Sequence, residues 1–179
     1  MSGATWVALL RGINLGRHKR VAMADLRSLL ESLGYDNVRT HLQSGNAIFT
    51  AERGQAEQLE RHIASRIEAD LGLDVKVMVR SADELAAIFD GNPFVAQGVD
   101  SKELHVVFLS ANPPAKNVAA IDADAYAPDE VELADRTIYL RLPNGLQGSR
   151  VPDLQNVLGV SATMRNWNTV SRLRELTAG

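Results

Sequence analysis

The strongest constraint on this chain is the way its apolar residues change period over the first 80 positions. Residues 6–10 are a short, nearly continuous apolar run, the pattern of a strand covered on both faces. Leu26, Leu29, Leu30 and Leu33 then fall at helical spacing, and Gly34 stands where a glycine closes a helix. Residues 38–42 and 47–50 read as two further strands, and the turn composition of Gln43, Ser44, Gly45 and Asn46 joins them as a hairpin. Leu59, Ile63, Ile67 and Leu71 recur at one helical face up to Gly72, which predicts a second helix. Val75, Val77 and Val79 alternate with Lys76, Met78 and Arg80, which predicts a strand with one buried face. The order β-α-β-β-α-β is that of the ferredoxin-like split βαβ unit.

Beyond residue 80 the same signals return more weakly. Ser81 and Glu84 are spaced as a capping box ahead of Leu85, Ile88 and Phe89, and Asn92-Pro93 stops that helix. Residues 104–109 read as a strand, Pro113-Pro114 opens a short helix ending near Ile121, and 131–133 with 137–142 read as a hairpin. A loop with Pro143, Gly145 and Gly148 leads to a helix carrying Val151, Leu154, Val157 and Leu158, and a last helix spans about 169–176. The order β-α-β-β-α thus recurs with no closing strand legible. The expected fold class is α+β, a duplicated ferredoxin-like plait. Residues 1–80 form its first half; residues 81–179 form a less complete second half with a C-terminal helix, and the two can press into one compact body.

Between the first strand and the first helix lies the segment with the most chemistry. Arg11 arrives where the strand stops, Gly12 and Gly16 permit left-handed backbone angles, and Asn14, Arg17, His18, Lys19 and Arg20 precede a helix starting near Met23. A strand end, a glycine loop, cations and a helix start make a cradle for an anion. The competing reading gives Arg11 a carboxylate partner between the halves and leaves the glycines to turn geometry. The loop has neither the Lys-Ser/Thr ending of a phosphate-binding P-loop nor a Gly-x-Gly-x-x-Gly pattern, so nucleotide hydrolysis is unsupported.

Gln43, Ser44 and Asn46 form a second polar cluster, expected at the opposite end of the sheet from Arg11 and Gly16. Near the C-terminus, Asn166 or Asn168 suits a helix N-cap and Trp167 between them suits an aromatic anchor. Arg165 sits where a helix start disfavours a cation, so it calls for an acidic partner in the first half or a bound anion. Ser44 has no nucleophile context, and no catalytic set can be named.

The chain has zero cysteines, which excludes disulfides, thiolate metal sites and cysteine nucleophiles and suits the cytoplasm. His18, His41, His62 and His105 are scattered without ligand spacing, so no metal and no cofactor are expected. Asp122, Asp124, Asp129 and Glu130 around Tyr126 read as a solvated loop. No segment approaches the roughly 18 apolar residues of a membrane span, and no membrane partner is expected.

Four separated motifs carry a resemblance. They are Leu-Leu-Arg-Gly-Ile-Asn-Leu-Gly at 9–16, Gln-Ser-Gly-Asn at 43–46, Asn92-Pro93-Phe94, and Thr-Met-Arg-Asn-Trp-Asn-Thr-Val at 163–170. Read in that order, the chain resembles domain-of-unknown-function family 1697, a group of mostly bacterial proteins, over essentially its whole length. The resemblance implies a two-part ferredoxin-like α+β fold and no activity. Where such proteins usually carry Gly or Lys after the Gly-Ile-Asn motif, this chain has Arg17-His18, so its loop is at least as basic.

Three functions remain, in order. The first is a small binding module for an anionic or nucleotide-like ligand, using Arg11, Gly12, Asn14, Gly16, Arg17, Lys19, Arg20 and Arg165. Nucleic-acid binding is second and not favoured, because the net charge is −3 and only Trp6 and Phe49 are placed to stack bases. An enzyme with an unrecognised polar site is third.

Overall fold

The structure, a computed structural model, describes residues 3–179. The chain is mixed α+β with two four-stranded antiparallel sheets. It divides into two compact units, one holding the residues up to Ala87 together with Leu173–Gly179, the other Ile88–Arg172.

In the first unit the strands β1 (Ala4–Leu10), β2 (Asp36–His41), β3 (Asn46–Ala51) and β4 (Val77–Ser81) are ordered β2-β3-β1-β4. Helix α1 (Met23–Ser32) follows β1, α2 (Ala56–Leu71) follows β3, and α3 (Ala82–Asp90) follows β4 directly. The pleat sends Trp6, Ala8 and Leu10 to one face, where they pack with Phe49, Val79, Leu26 and Leu30 of α1, and Ile63 and Ile67 of α2. Val7, Leu9, Ile48 and Met78, on the other face, are buried too. Burial on both sides is why β1 reads as a continuous apolar run rather than an alternation. Tyr35 stacks on Phe49 with ring centroids 4.7 Å apart, and α2 ends at Gly72 with φ +66, as a left-handed cap requires.

The second unit repeats the order as β6-β7-β5-β8, from β5 (Leu104–Leu109), β6 (Glu130–Ala134), β7 (Thr137–Arg141) and β8 (Ala162–Asn166). Helices α4 (Ala115–Val118) and α5 (Leu154–Leu158) lie within it, and α6 (Trp167–Thr177) starts in it. A closing strand therefore exists, contrary to the sequence expectation. β8 hides itself because its alternation is inverted: Thr163 and Arg165 are buried while Met164 and Asn166 are exposed. Helix α6 accordingly starts two residues earlier than expected.

The two sheets share individual bonds as well as strand order. Leu10 N–H donates to the Gly45 carbonyl at 2.9 Å, and Leu109 N–H to the Arg136 carbonyl at 3.0 Å. Arg11 N–H donates to the Lys76 carbonyl, and Ser110 N–H to that of Ser161, both at 2.9 Å. Val7 pairs with Arg80 in one sheet and Val106 with Arg165 in the other, so the two buried arginines occupy one equivalent position. The next residue caps a helix in each unit. Ser81 and Glu84 form the expected capping box, with the Glu84 amide donating to the Ser81 hydroxyl and the Ser81 amide to the Glu84 carboxylate. Asn166 Oδ1 accepts from the Thr169 amide at 2.9 Å, which settles the cap between the two asparagines.

Of the acidic stretch expected to be solvated, Asp122 and Asp124 are exposed, but Asp129 and Glu130 are engaged. Asp129 is buried, and its Oδ2 accepts from the Ser149 hydroxyl at 2.9 Å and the Arg150 amide at 2.6 Å. Glu130 pairs with Arg141 at 2.7 Å. Asp129 ties down the loop at Ser149 and Arg150, and Glu130 bridges β6 to β7.

Trp167 is buried and lies flat on Phe89, ring centroids 5.0 Å apart and planes within 9°. Truncating it leaves a cavity the size of an indole, so Trp167→Ala is expected to cost about 3–5 kcal/mol in urea denaturation. A loss below about 1 kcal/mol would show that the ring anchors nothing.

Candidate functional site

β1 is antiparallel to both β3 and β4, so its C-terminal end meets the beginnings of both neighbours. Three segments converge there: the loop 11–22, the turn 42–45, and residues 74–76 leading into β4. This corrects the expectation that Gln43, Ser44 and Asn46 lie at the far end from Arg11 and Gly16. Leu9 pairs directly with Asn46, and the Asn14 side chain reaches the Gln43 carbonyl at 2.7 Å. The hairpin turn of an antiparallel neighbour has to sit beside the end of the strand it pairs with.

Within the loop, Ile13 points inward and is buried, while Asn14 stitches. Asn14 Nδ2 donates to the Val21 and Gln43 carbonyls at 2.9 and 2.7 Å, and its Oδ1 accepts from the Val21 amide at 2.9 Å. The Asn14 amide donates to the Lys19 carbonyl at 3.0 Å, closing the segment between them into a ring of backbone. Asn14 does this at φ 55, a left-handed conformation that asparagine tolerates better than most residues. Gly12 and Gly16 also have left-handed φ, with nothing near the place a Cβ would occupy.

What the stitching leaves on display is cationic. Arg17, His18, Lys19 and Arg20 are exposed, Arg11 is half-buried, and Lys76 is exposed at the foot of β4. Lys19 Nζ donates to the Asp74 carbonyl at 2.8 Å, which pins one of the charges. The following helix begins at Met23 behind Ala22, a residue that offers no side-chain cap. First-turn amides without a side-chain acceptor are open to an outside anion.

In the turn, Asn46 is fully buried and its Nδ2 donates to the His41 carbonyl at 2.7 Å and the Ser44 hydroxyl at 3.0 Å, so it belongs to the framework. Gln43 and Ser44 are exposed.

Arg165 stands on β8 of the second unit, buried, with Nη1 donating to the Thr163 hydroxyl at 2.7 Å and the Met164 carbonyl at 2.9 Å. Burial pushes its guanidinium down to about 10, which leaves it charged at neutral pH. Arg80, its equivalent in the first unit, falls where the alternation of the strand predicts the solvent side. It is 1% exposed, and its Nη1 donates to the Val79 carbonyl at 2.9 Å.

Trp6 and Phe49 are both buried, which removes the aromatic sheet face that base stacking would need. Among the described residues no cluster of three or more His, Cys, Asp or Glu is arranged to hold a metal. In the second unit a cavity of about 240 Å³ opens over Val107, Leu140, Ala162 and Met164. It lies beside α5, which has five residues where α2 has 16.

Residues 4–139 match the family model described as "Protein of unknown function (DUF1697)", and the chain belongs to that family. Among solved structures it is similar to the conserved bacterial protein SP0830 from Streptococcus pneumoniae, with a TM-score of 0.78. The two share 19% sequence identity over 98% of this chain and 99% of that one, a likeness of fold. No curated protein matches the chain.

The stitched loop makes one glycine far less replaceable than another. Gly45 has φ +83, and a Cβ there would lie 2.7 Å from Ile13 Cδ1 and 2.9 Å from Leu10 Cβ. Gly45→Ala therefore combines backbone strain with overpacking and is expected to cost about 2–4 kcal/mol. Gly12→Ala, with open space around it, is expected to cost about 1–2 kcal/mol. Equal losses in chemical denaturation would show that Ile13 does not seat against the turn.

Proposed function

We propose that the first unit binds an anionic ligand, phosphate-bearing or nucleotide-like, at the loop carrying Arg11, Gly12, Asn14, Gly16, Arg17, Lys19 and Arg20. The observation that carries this reading is the fixing of a cationic loop by Asn14 immediately before a helix start that no side chain caps. Cations held in place lose less freedom when they meet an anion than cations on a mobile loop.

Charge distribution points the same way. Arg11, Arg17, Lys19 and Arg20 contribute +4 to a chain whose total is −3, so the remaining residues sum to −7. Such segregation focuses attraction for anions on one end of the unit. Gln43 and Ser44, brought alongside, add polar groups that can orient a bound oxyanion. Arg165 enters this reading as a framework residue of β8, bonded to its own strand.

The strand order in each unit, with a helix after the first and third strands, supports reading both as ferredoxin-like plaits. Zero cysteines support a cytoplasmic placement.

Pyrophosphate tests the site. At a hundred times its Kd, a ligand that binds only the native state stabilises it by about 2.7 kcal/mol. The natural chain is expected to show a saturable rise in Tm with pyrophosphate at fixed ionic strength, and Arg17→Glu/Arg20→Glu to lose it. An equal rise in both proteins would be general salt exclusion, and the loop would not be the site.

A further inference from the structure

Two apolar side chains at this end of the first unit are left outside the fold. Leu15 is 72% exposed and Leu42 is 55% exposed. Leu15 follows Asn14 and Leu42 precedes Gln43, and the 2.7 Å bond from Asn14 to the Gln43 carbonyl ties those two loops together. The leucines therefore stand on neighbouring tips. Leu42 also holds φ 62, a left-handed conformation that disfavours a branched apolar residue. Glycine or asparagine at that position would relieve the strain and the exposure together. A residue kept both strained and exposed points to a contact outside the chain.

The surroundings specify what kind of contact. Exposed Arg17, His18, Lys19, Arg20 and Lys76 share this end of the unit with the leucines, and Arg11 at the end of β1 is half-buried. The nearest acids along the same segments are two, Asp25 in the first turn of α1 and Asp74, against the four exposed cations Arg17, Lys19, Arg20 and Lys76. Cations interleaved with aliphatic tips match a surface that is anionic outside and apolar just beneath. A nucleic acid supplies the phosphates but no aliphatic layer, and its bases select aromatic platforms.

Resting on the anion-binding reading above, we propose that this end of the unit docks on an anionic lipid surface. The arginines and lysines meet lipid phosphates while Leu15 and Leu42 enter the boundary between headgroups and acyl chains. Such docking needs no spanning segment, and among the described residues no helix is long and apolar enough to cross a membrane. The expectation of no membrane partner rested on that missing span, which does not bear on a surface contact. Attachment of this kind is reversible and weakens as salt rises.

The full chain is sedimented with vesicles of phosphatidylglycerol in phosphatidylcholine and with vesicles of phosphatidylcholine alone. Binding is expected only to the anionic vesicles and is expected to fall with added salt. Leu15→Ser/Leu42→Asn should lower vesicle partitioning about tenfold or more, each leucine contributing buried apolar area, while keeping the pyrophosphate rise in Tm. Leu15→Ser alone, which leaves the hairpin turn untouched, should give an intermediate loss. Arg17→Glu/Arg20→Glu should lose both vesicles and pyrophosphate. Unbound anionic vesicles alongside retained pyrophosphate binding would overturn the lipid proposal and leave the anion site standing; loss of both in the natural chain would remove both. Equal vesicle binding by the leucine variants would reduce the contact to adsorption of charge. Tighter binding of a single-stranded oligonucleotide, unaffected by the leucine changes, would make the partner a nucleic acid and overturn the proposal.

Discussion

β1 is hydrogen-bonded along both edges, and both pairings are antiparallel. A strand in that position must release its chain where both neighbours begin. The last bonds of the ladders clamp the point of release: Leu10 is held by the Gly45 carbonyl on one side and Arg11 by the Lys76 carbonyl on the other. Ile13 then folds back against Gly45, and Asn14 closes the loop onto Val21 and Gln43. Everything unusual about this end of the unit, from its cationic rim to its two exposed leucines, hangs from that clamp. The same two bonds at Leu109 and Ser110 hold the corresponding exit of β5 in the second unit, where the following residues carry no comparable run of cations.

Much of the first unit was legible because its elements are long or strongly periodic. α2 repeats its apolar face through Leu59, Ile63 and Ile67, and β1 is apolar at nearly every position because both its faces are covered. The second unit was harder for a physical reason. Its short helices α4 and α5 are legible from Pro113-Pro114 and from Leu154, Val157 and Leu158, but β8 is not, because it buries Thr163 and Arg165 while exposing Met164. Arg80 misled in the same way, since an arginine opposite valines reads as the wet side of a strand. The candidate loop was legible as composition, with Arg11, Gly12, Asn14 and Gly16 in order. Its neighbourhood was not, because joining the turn at Gln43 to the loop depends on which end of an antiparallel pair the hairpin occupies. The exposure of Leu15 and Leu42 has no signal in the sequence at all.

The internal repeat shows which features belong to the scaffold. Arg80 and Arg165 sit at one register position, each a residue ahead of a helix cap, and each donates to its own strand. A buried charge carries a desolvation cost that hydrogen bonds and opposite charges offset. Trp6 and His105 form a second equivalent pair, opposite Ser81 and Asn166. Trp6 Nε1 and His105 Nδ1 are both buried without a partner among the described atoms. Burial lowers the His105 pKa, and a hydrogen bond with the Glu103 backbone pulls the other way. The cationic loop has no such counterpart, and it is what distinguishes the first unit chemically.

The central claim is that Asn14 fixes this loop, and the amide of Val21 reports on it most directly, because its acceptor is the Asn14 side chain itself at 2.9 Å. Hydrogen exchange at Val21 should be slow in the natural chain. In Asn14→Ala it should speed up about tenfold, the worth of one lost hydrogen bond, while the amides of Leu10 and Arg11 in the sheet clamp keep their protection. Unchanged exchange at Val21 in that variant would contradict the account, since the loop would then be held by something other than Asn14.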